Sequence, residues 1–143
     1  MALEIERRFL LKNENWRDSI KEKTSIEQGY FFTAKNEWII RLRSERGKYQ
    51  LTLKKHITNF TNYEFEYEIP PNEGEIILKN IGNKIKKERF YLNVDEKEWI
   101  IDCFKEDNYP LMIAEIELKE EKETFAMPTF LSEEITGLKT FSN

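Results

Sequence analysis

The feature that most constrains this chain is a period of two in which the polar partner is almost always ionisable. In Leu3-Glu4-Ile5-Glu6-Arg7-Arg8-Phe9, the odd positions carry Leu3, Ile5 and Phe9 and the even positions carry Glu4, Glu6 and Arg8. Successive strand side chains point to opposite faces, so those three charges share one face. Arg7 interrupts the apolar side and is expected at its rim. The pattern recurs with Arg41 and Arg43 around Leu42, and with Gln50, Thr52 and Lys54 around Leu51 and Leu53. Glu64, Glu66 and Glu68 alternate with Phe65, Tyr67 and Ile69, and Lys87 and Arg89 flank Glu88. Asp102 lies between Ile101 and Cys103, and Glu115, Glu117 and Lys119 alternate with Ile116 and Leu118.

An antiparallel sheet with one wet face would produce alternation. It would not sort the charges by sign within each strand. Like charges about 6 Å apart repel by roughly 3 kcal/mol at an effective dielectric of about 20, and by less in water. Such clusters imply a use. Paired carboxylates are hard ligands for Mg²⁺ or Mn²⁺, and clustered Arg and Lys suit a polyanion. Both together are what metal-assisted phosphoryl chemistry requires. A closed barrel gathers these faces around one lumen and turns the apolar faces outward, where helices must cover them. The expected fold is therefore α+β, a closed eight-stranded antiparallel β-barrel with a charged lumen, flanked by a few helices.

Three segments read as helices: 13–23, opened by Asn13 and carrying Trp16 and Ile20; a stretch capped by Asn72 after Pro70-Pro71 and running to about Asn80; and Phe130 to Ile135. No repeat or linker divides the chain, so one domain over 1–143 is expected. Net charge is −4, which disfavours a generic nucleic-acid binder. There is no apolar run long enough for a membrane helix and no signal-peptide pattern, so a cytoplasmic protein is expected. Cys103 and His56 are the only residues of their kinds, which excludes a cysteine-based zinc site and nearly excludes a Ser-His-Asp triad.

Taken in order, Glu4-Ile5-Glu6-Arg7-Arg8-Phe9, Gln28-Gly29-Tyr30, Arg41-Leu42-Arg43, Thr52-Leu53-Lys54, Glu64-Phe65-Glu66, Lys87-Glu88-Arg89-Phe90, Asp102-Cys103-Phe104 and Glu115-Ile116-Glu117 resemble the CYTH superfamily, the triphosphate tunnel metalloenzymes, and most closely its short bacterial members. The resemblance implies an eight-stranded tunnel that binds a triphosphate and needs Mg²⁺ or Mn²⁺. It implies that Arg8, Arg41, Arg43, Lys54 and Arg89 hold phosphate oxygens. It implies that Glu4, Glu6, Glu64, Glu66, Asp102, Glu115 and Glu117 bind metal directly or through water. Lys87 and Tyr30 match a pair associated with activating the attacking water. For both, a simpler role stays open: a phosphate clamp for Lys87 and a packed aromatic for Tyr30. Glu134 and Lys139 resemble a C-terminal acid and base at the tunnel mouth, Lys139 as a further phosphate ligand. Two departures stand out. Arg8 replaces a usual Lys, and Asn62 stands where relatives often carry Arg, so that one phosphate contact is either missing or supplied by Lys55 or His56.

The implied activity is metal-dependent hydrolysis of a triphosphate, with inorganic tripolyphosphate the leading substrate and a nucleoside triphosphate next. The alternatives are an adenylate cyclase acting on ATP, a thiamine triphosphatase, and a non-catalytic polyphosphate- or nucleotide-binding module. The expected partner is a small triphosphate, with no nucleic acid and no membrane; a homodimer is compatible with the sequence.

Overall fold

The structure, a computed structural model, describes residues 2–33 and 38–138. Among them are nine strands and one α-helix: β1 (Leu3–Leu11), β2 (Ile20–Tyr30), β3 (Ile39–Glu45), β4 (Lys48–His56), β5 (Thr61–Ile69), α1 (Pro71–Asn80), β6 (Asn83–Val94), β7 (Lys97–Phe104), β8 (Met112–Glu117) and β9 (Leu131–Glu134). The strand order is β5-β4-β3-β2-β6-β7-β8-β1-β9, with β1 also paired to β5. The first eight strands thus close into an antiparallel barrel and β9 is an addition outside it.

Closure rests on a short seam. β1 meets β5 only over Leu3↔Tyr63, Glu4↔Asn62 and Ile5↔Thr61. Farther along the same edge of β1, β9 takes the place of β5, pairing at Phe9↔Glu134 and Leu11↔Leu131. The segment expected as a helix from Phe130 is therefore extended. The correction has a physical cause: the second half of β1 would otherwise present an unpaired edge. Two hairpins are turned tightly, at Arg46-Gly47 (φ 55° and 76°) and at Asp95-Glu96 (φ 50° and 64°). Consecutive positive φ values are what a two-residue turn between right-twisted strands demands.

The outer face carries the larger core. Phe9, Trp16, Phe90, Leu92, Trp99, Ile101, Ala114, Ile116, Leu118, Phe130 and Leu131 form one buried cluster. It is covered mostly by irregular chain. The expected helix over 13–23 is a correction as well: only Asn15–Ser19 coils, as a 3₁₀ turn, and β2 begins at Ile20. That turn plants Trp16 edge-on against Phe90 at 5.1 Å, while Ile20 is already in register with Leu92. Trp16 and Ile20 are four apart because a turn hands over to a strand. The chain after β8 wraps the other side, with Phe125 and Phe130 edge-on to Trp99. Arg7 sits in this outer layer, held by both carboxylate oxygens of Glu134 at 2.8 and 2.6 Å and stacked near Phe9, Phe60 and Phe125.

Helix α1 starts as expected, though Pro70 rather than Asn72 stands at the cap, with no side-chain hydrogen bond there. Gly74 and Leu78, one turn apart, are its buried residues. A Cβ on Gly74 would lie 2.5 Å from Tyr49 Cβ, so the helix seats on β4 only because that position is bare. A Cβ on Gly82 would meet nothing within 4 Å. Gly74→Ala is expected to lower stability by about 1–3 kcal/mol through overpacking, despite the better helix propensity of Ala. Gly82→Ala raises it by about 0.5 kcal/mol. Urea unfolding of the two variants checks both signs.

Candidate active site

The parity of each strand decides what enters the barrel. Glu4, Glu6 and Arg8 of β1, Arg41 and Arg43 of β3, Lys54 of β4, Glu64 and Glu66 of β5, Arg89 of β6, and Glu115 and Glu117 of β8 all point inward. All of these except Arg8 line one cavity of about 350 Å³. Arg8 lies beneath it, its Nε donating to Glu115 Oε1 at 3.2 Å. The inward parity does not stay charged throughout. At one end, Leu10, Ile85, Phe104 and Ile113 face inward and join Leu111 and Ile135 in a second apolar cluster. That layer closes the lumen beneath its charged part.

Most of the charges are segregated by sign inside. Glu4, Glu6, Glu64, Glu66, Glu115 and Glu117 come from β1, β5 and β8, which are neighbours around the barrel, whereas Arg41, Arg43 and Arg89 come from β3 and β6. Where acids crowd, protonation becomes easier. Burial and the Glu115 charge push the Glu6 carboxyl up to about 7, against the pull of Lys54. Burial, Glu4 and Glu66 push Glu64 up to about 8. Glu117 is raised by burial and by Glu4, Glu66 and Glu115. Lys54 spans the divide: burial lowers its pKa, but Glu6 and Glu4 outweigh burial and raise it, with Nζ 2.8 Å from Glu4 Oε1 and 3.4 Å from Glu6 Oε1.

Asp102 behaves differently from the other acids. It is fully buried, takes two hydrogen bonds from Arg89 Nε and Nη2 at 2.8 and 2.9 Å, and lies 2.7 Å from Lys87 Nζ. Burial raises its pKa, but the cations Lys87 and Arg89 overcome burial and hold it well below the usual carboxylate range. Lys87 is 1% exposed, with its amine 5.2 Å from the centre of the Phe104 ring. Burial drags its pKa down to about 7, with Arg43 and Arg89 adding to the effect and Asp102 opposing it. Glu115 is held below its normal value, since Arg8, Arg89 and Lys87 outweigh its burial.

Tyr30 lies apart from Lys87, and no hydrogen bond joins the two. Its Oη accepts from Gln28 Nε2 at 2.6 Å, and Gln28 Oε1 accepts from Arg43 Nε at 2.9 Å. Burial raises the Tyr30 pKa while Arg41 and Arg43 oppose it. Burial, Arg41 and Arg89 lower Arg43 to about 10. Asn62 is buried, donating from Nδ2 to Glu4 Oε1 at 3.2 Å and receiving the His56 ring Nδ1 at its Oδ1. The position that lacks the expected Arg is therefore tied into the acidic wall by its own amide nitrogen, with His56 bound to the amide oxygen. Lys55 points outward, over the Trp38 ring. Glu134 is outside the lumen, against Arg7, and Lys139 lies outside the described residues. The lumen also holds Glu98 of β7, which the sequence reading missed. Its parity with Asp102, four residues away, was the signal. Glu45 was missed as well; it lines the cavity and accepts from Thr24 Oγ1 and Tyr91 Oη at 2.6 Å each.

A CYTH domain model matches residues 2–142. The chain belongs to the CYTH family. An inorganic triphosphatase of Acetivibrio thermocellus is 34% identical over 145 residues, spanning 100% of this chain and 92% of that protein. An inorganic triphosphatase of Nitrosomonas europaea is 28% identical, over 98% of this chain and 93% of its own length. The crystal structure of an inorganic triphosphatase superposes with a TM-score of 0.72 at 27% identity, covering 100% of this chain and 93% of the other. A Hippeastrum protein at 16% identity shares the fold, with a TM-score of 0.60 over 84% of this chain and 80% of its own.

The CYTH lumen separates compensated from uncompensated acids, and stability should follow that division. Asp102→Ala strands two buried cations and is expected to cost about 3–5 kcal/mol in metal-free urea unfolding. Glu64→Gln, which relieves crowding among like charges, is expected to raise the midpoint.

Proposed function

We propose that the protein hydrolyses a triphosphate, with inorganic tripolyphosphate the favoured substrate, in a reaction that depends on Mg²⁺ or Mn²⁺. One observation carries the reading: Arg and Lys face a wall of carboxylates, several of them short of positive charge, across one cavity. A polyanion alone would be repelled by the acidic wall, and a metal alone by the basic wall; a metal–triphosphate complex satisfies both. The full-length likeness to proteins named inorganic triphosphatase points the same way.

In this reading Arg8, Arg41, Arg43, Lys54 and Arg89 grip phosphate oxygens and stabilise charge on the equatorial and leaving oxygens. Lys139 is kept as a further phosphate ligand on the strength of the sequence. Glu4, Glu6, Glu64, Glu66, Glu115 and Glu117 would hold the metal. The raised pKa values of Glu6 and Glu64 mark a deficit of positive charge that a divalent cation fills, and hard carboxylate oxygens suit Mg²⁺ or Mn²⁺. Among the described residues no three acids already stand arranged around one ion. A cation there would take only one or two of these six carboxylates, the rest of its ligands coming from outside the chain. A cation held there would supply charge neutralisation at the phosphates. Asp102 is assigned to holding Lys87 and Arg89 rather than metal, since both of its oxygens are engaged.

Water attacks the terminal phosphorus, a new P–O bond forms, the bridging P–O bond breaks, and pyrophosphate leaves. Lys87, neutral in part near pH 7, takes the proton that water gives up. Tyr30 acts on the substrate from the Arg43 side. The protein works as one tunnel domain over 1–143, in the cytoplasm, on a small-molecule partner.

Phosphate release from tripolyphosphate with Mg²⁺, with Mn²⁺ or with chelator tests the reading. Chelation is expected to abolish turnover, and Glu115→Ala to cut it by about 100-fold or more. Lys87→Ala should lower kcat by about 100-fold or more with little change in KM. Turnover without metal would overturn the metal assignment. Cyclic AMP with pyrophosphate from ATP would convert the hydrolase into a cyclase.

A further inference from the structure

The basic wall of the lumen stops short of its mouth. The apolar layer that includes Ile85 closes one end of the barrel, so a bound chain extends toward the other. Counted from that floor, the inward face of β6 carries Lys87, Arg89 and then Tyr91, and the inward face of β3 carries Arg41, Arg43 and then Glu45. Alternate residues on a strand stand about 6.6 Å apart, so β3 is graduated in two cationic steps followed by an anionic one. Glu45 lies where two cavities meet. It lines the lumen, and it also lines an outer cavity of about 270 Å³ at the β3–β4 hairpin, together with Arg43, Arg46, Lys48, Gln50 and Glu68. Two hydroxyls from other strands fix its carboxylate there, Thr24 Oγ1 of β2 and Tyr91 Oη of β6, both donating to Oε2 at 2.6 Å. Those hydroxyls need an oxygen acceptor, which an amide would supply as well; they do not need a charge. Burial raises the Glu45 pKa, but Thr24 and Tyr91, helped by Arg89 and Arg43, bring it below the usual carboxylate value, so the charge is present at neutral pH. Farther out, positive charge is answered. Arg46 is paired with Glu22 at 2.6 Å, Lys48 shares the outer cavity with Glu68, and Lys97 is paired with Glu123 at 2.6 Å. A chain of phosphates leaving the lumen along β3 thus passes from Arg41 and Arg43 to a fixed negative charge.

We propose that Glu45 sets the length of chain the lumen accepts: its carboxylate, held by Thr24 and Tyr91 at the junction of the two cavities, repels a fourth phosphate, so that a longer linear polyphosphate is turned away. The inference deepens the triphosphatase reading and rests on it for the identity of the polyanion. An acid in a wall that receives an anion weakens binding unless it discriminates between anions. Specificity is a difference of affinities, and a charge placed against the wrong ligand produces it as well as a contact to the right one.

Glu45→Gln keeps the size and the oxygen acceptor and removes the charge. The test measures kcat/KM with Mg²⁺ for tripolyphosphate and for linear tetrapolyphosphate, in the wild type and in Glu45→Gln. The tetra-to-tri ratio is taken within each protein, so a change in the folded fraction cancels. In the wild type tetrapolyphosphate is expected to be used about 10-fold less efficiently or worse, and in Glu45→Gln the ratio is expected to rise by about 10-fold or more, the scale of one like-charge juxtaposition removed. A wild-type ratio near unity, or the same ratio in both proteins, would overturn the proposal. So would a metal-holding role for Glu45, seen as a higher Mg²⁺ requirement for tripolyphosphate turnover in Glu45→Gln with the ratio unchanged. Binding of both chains without turnover in the wild type would instead sink the hydrolytic reading, and the ratio of the two Kd values with Mg²⁺ would still decide the role of Glu45.

Discussion

Everything inside this barrel depends on three residue pairs between β1 and β5. Until they form, Glu4, Glu6, Glu64 and Glu66 are charges on two separate strands, free to face water. Once they form, the carboxylates share a low-dielectric space and raise one another's pKa values. The seam is held against that repulsion by the outer layer, where Phe125 and Phe130 pack edge-on to Trp99, Phe9 lies tilted against it, and Arg7 clamps β1 to β9 through Glu134. The hydrophobic effect acts on the outside of the barrel, and the work it does is to hold like charges together on the inside.

Much of this was legible in the sequence because a period of two leaves little freedom. Arg41 and Arg43, Glu64 and Glu66, and Glu115 and Glu117 had to share a face with their strand partners, and sorting by sign made an exposed face implausible. The elements misread as helices lie where period two fails. The 15–19 turn has no strand partner, and β9 is a four-residue strand whose conformation is set by the vacant edge of β1. Nothing in Leu131-Ser132-Glu133-Glu134 itself announces that edge. The apolar layer inside the lumen was hidden for a related reason. Leu10, Ile85, Phe104 and Ile113 have the same parity as the charges, and only the stagger of the strands brings them to one level.

Residue type also concealed role. Asp102 and Glu64 look alike on the page, each an acid alternating with apolar neighbours. Register separates them. Asp102 is opposite Arg89 across the β6–β7 pair, so it is neutralised within the chain. Glu64 is opposite Lys54, but that amine lies within salt-bridge distance of Glu4 and Glu6, leaving Glu64 short of positive charge. An acid answered by two cations and an acid in deficit thus arise from one sequence pattern.

This asymmetry explains how a lumen can contain so many ions and still fold. Where compensation is internal, Asp102 and Lys87 are fully buried, with the Lys87 amine over the Phe104 ring, and they hold Arg89 at the edge of the cavity. Where it falls short, at Glu6, Glu64 and Glu117, the groups border the open cavity, where protons or an incoming cation can reach them. A chain that paired every acid internally would be more stable and would have no reason to bind a metal. One that paired none would not close β1 onto β5. The division between the two sets is the physical condition for a barrel that is both folded and receptive, and it is drawn by strand register alone.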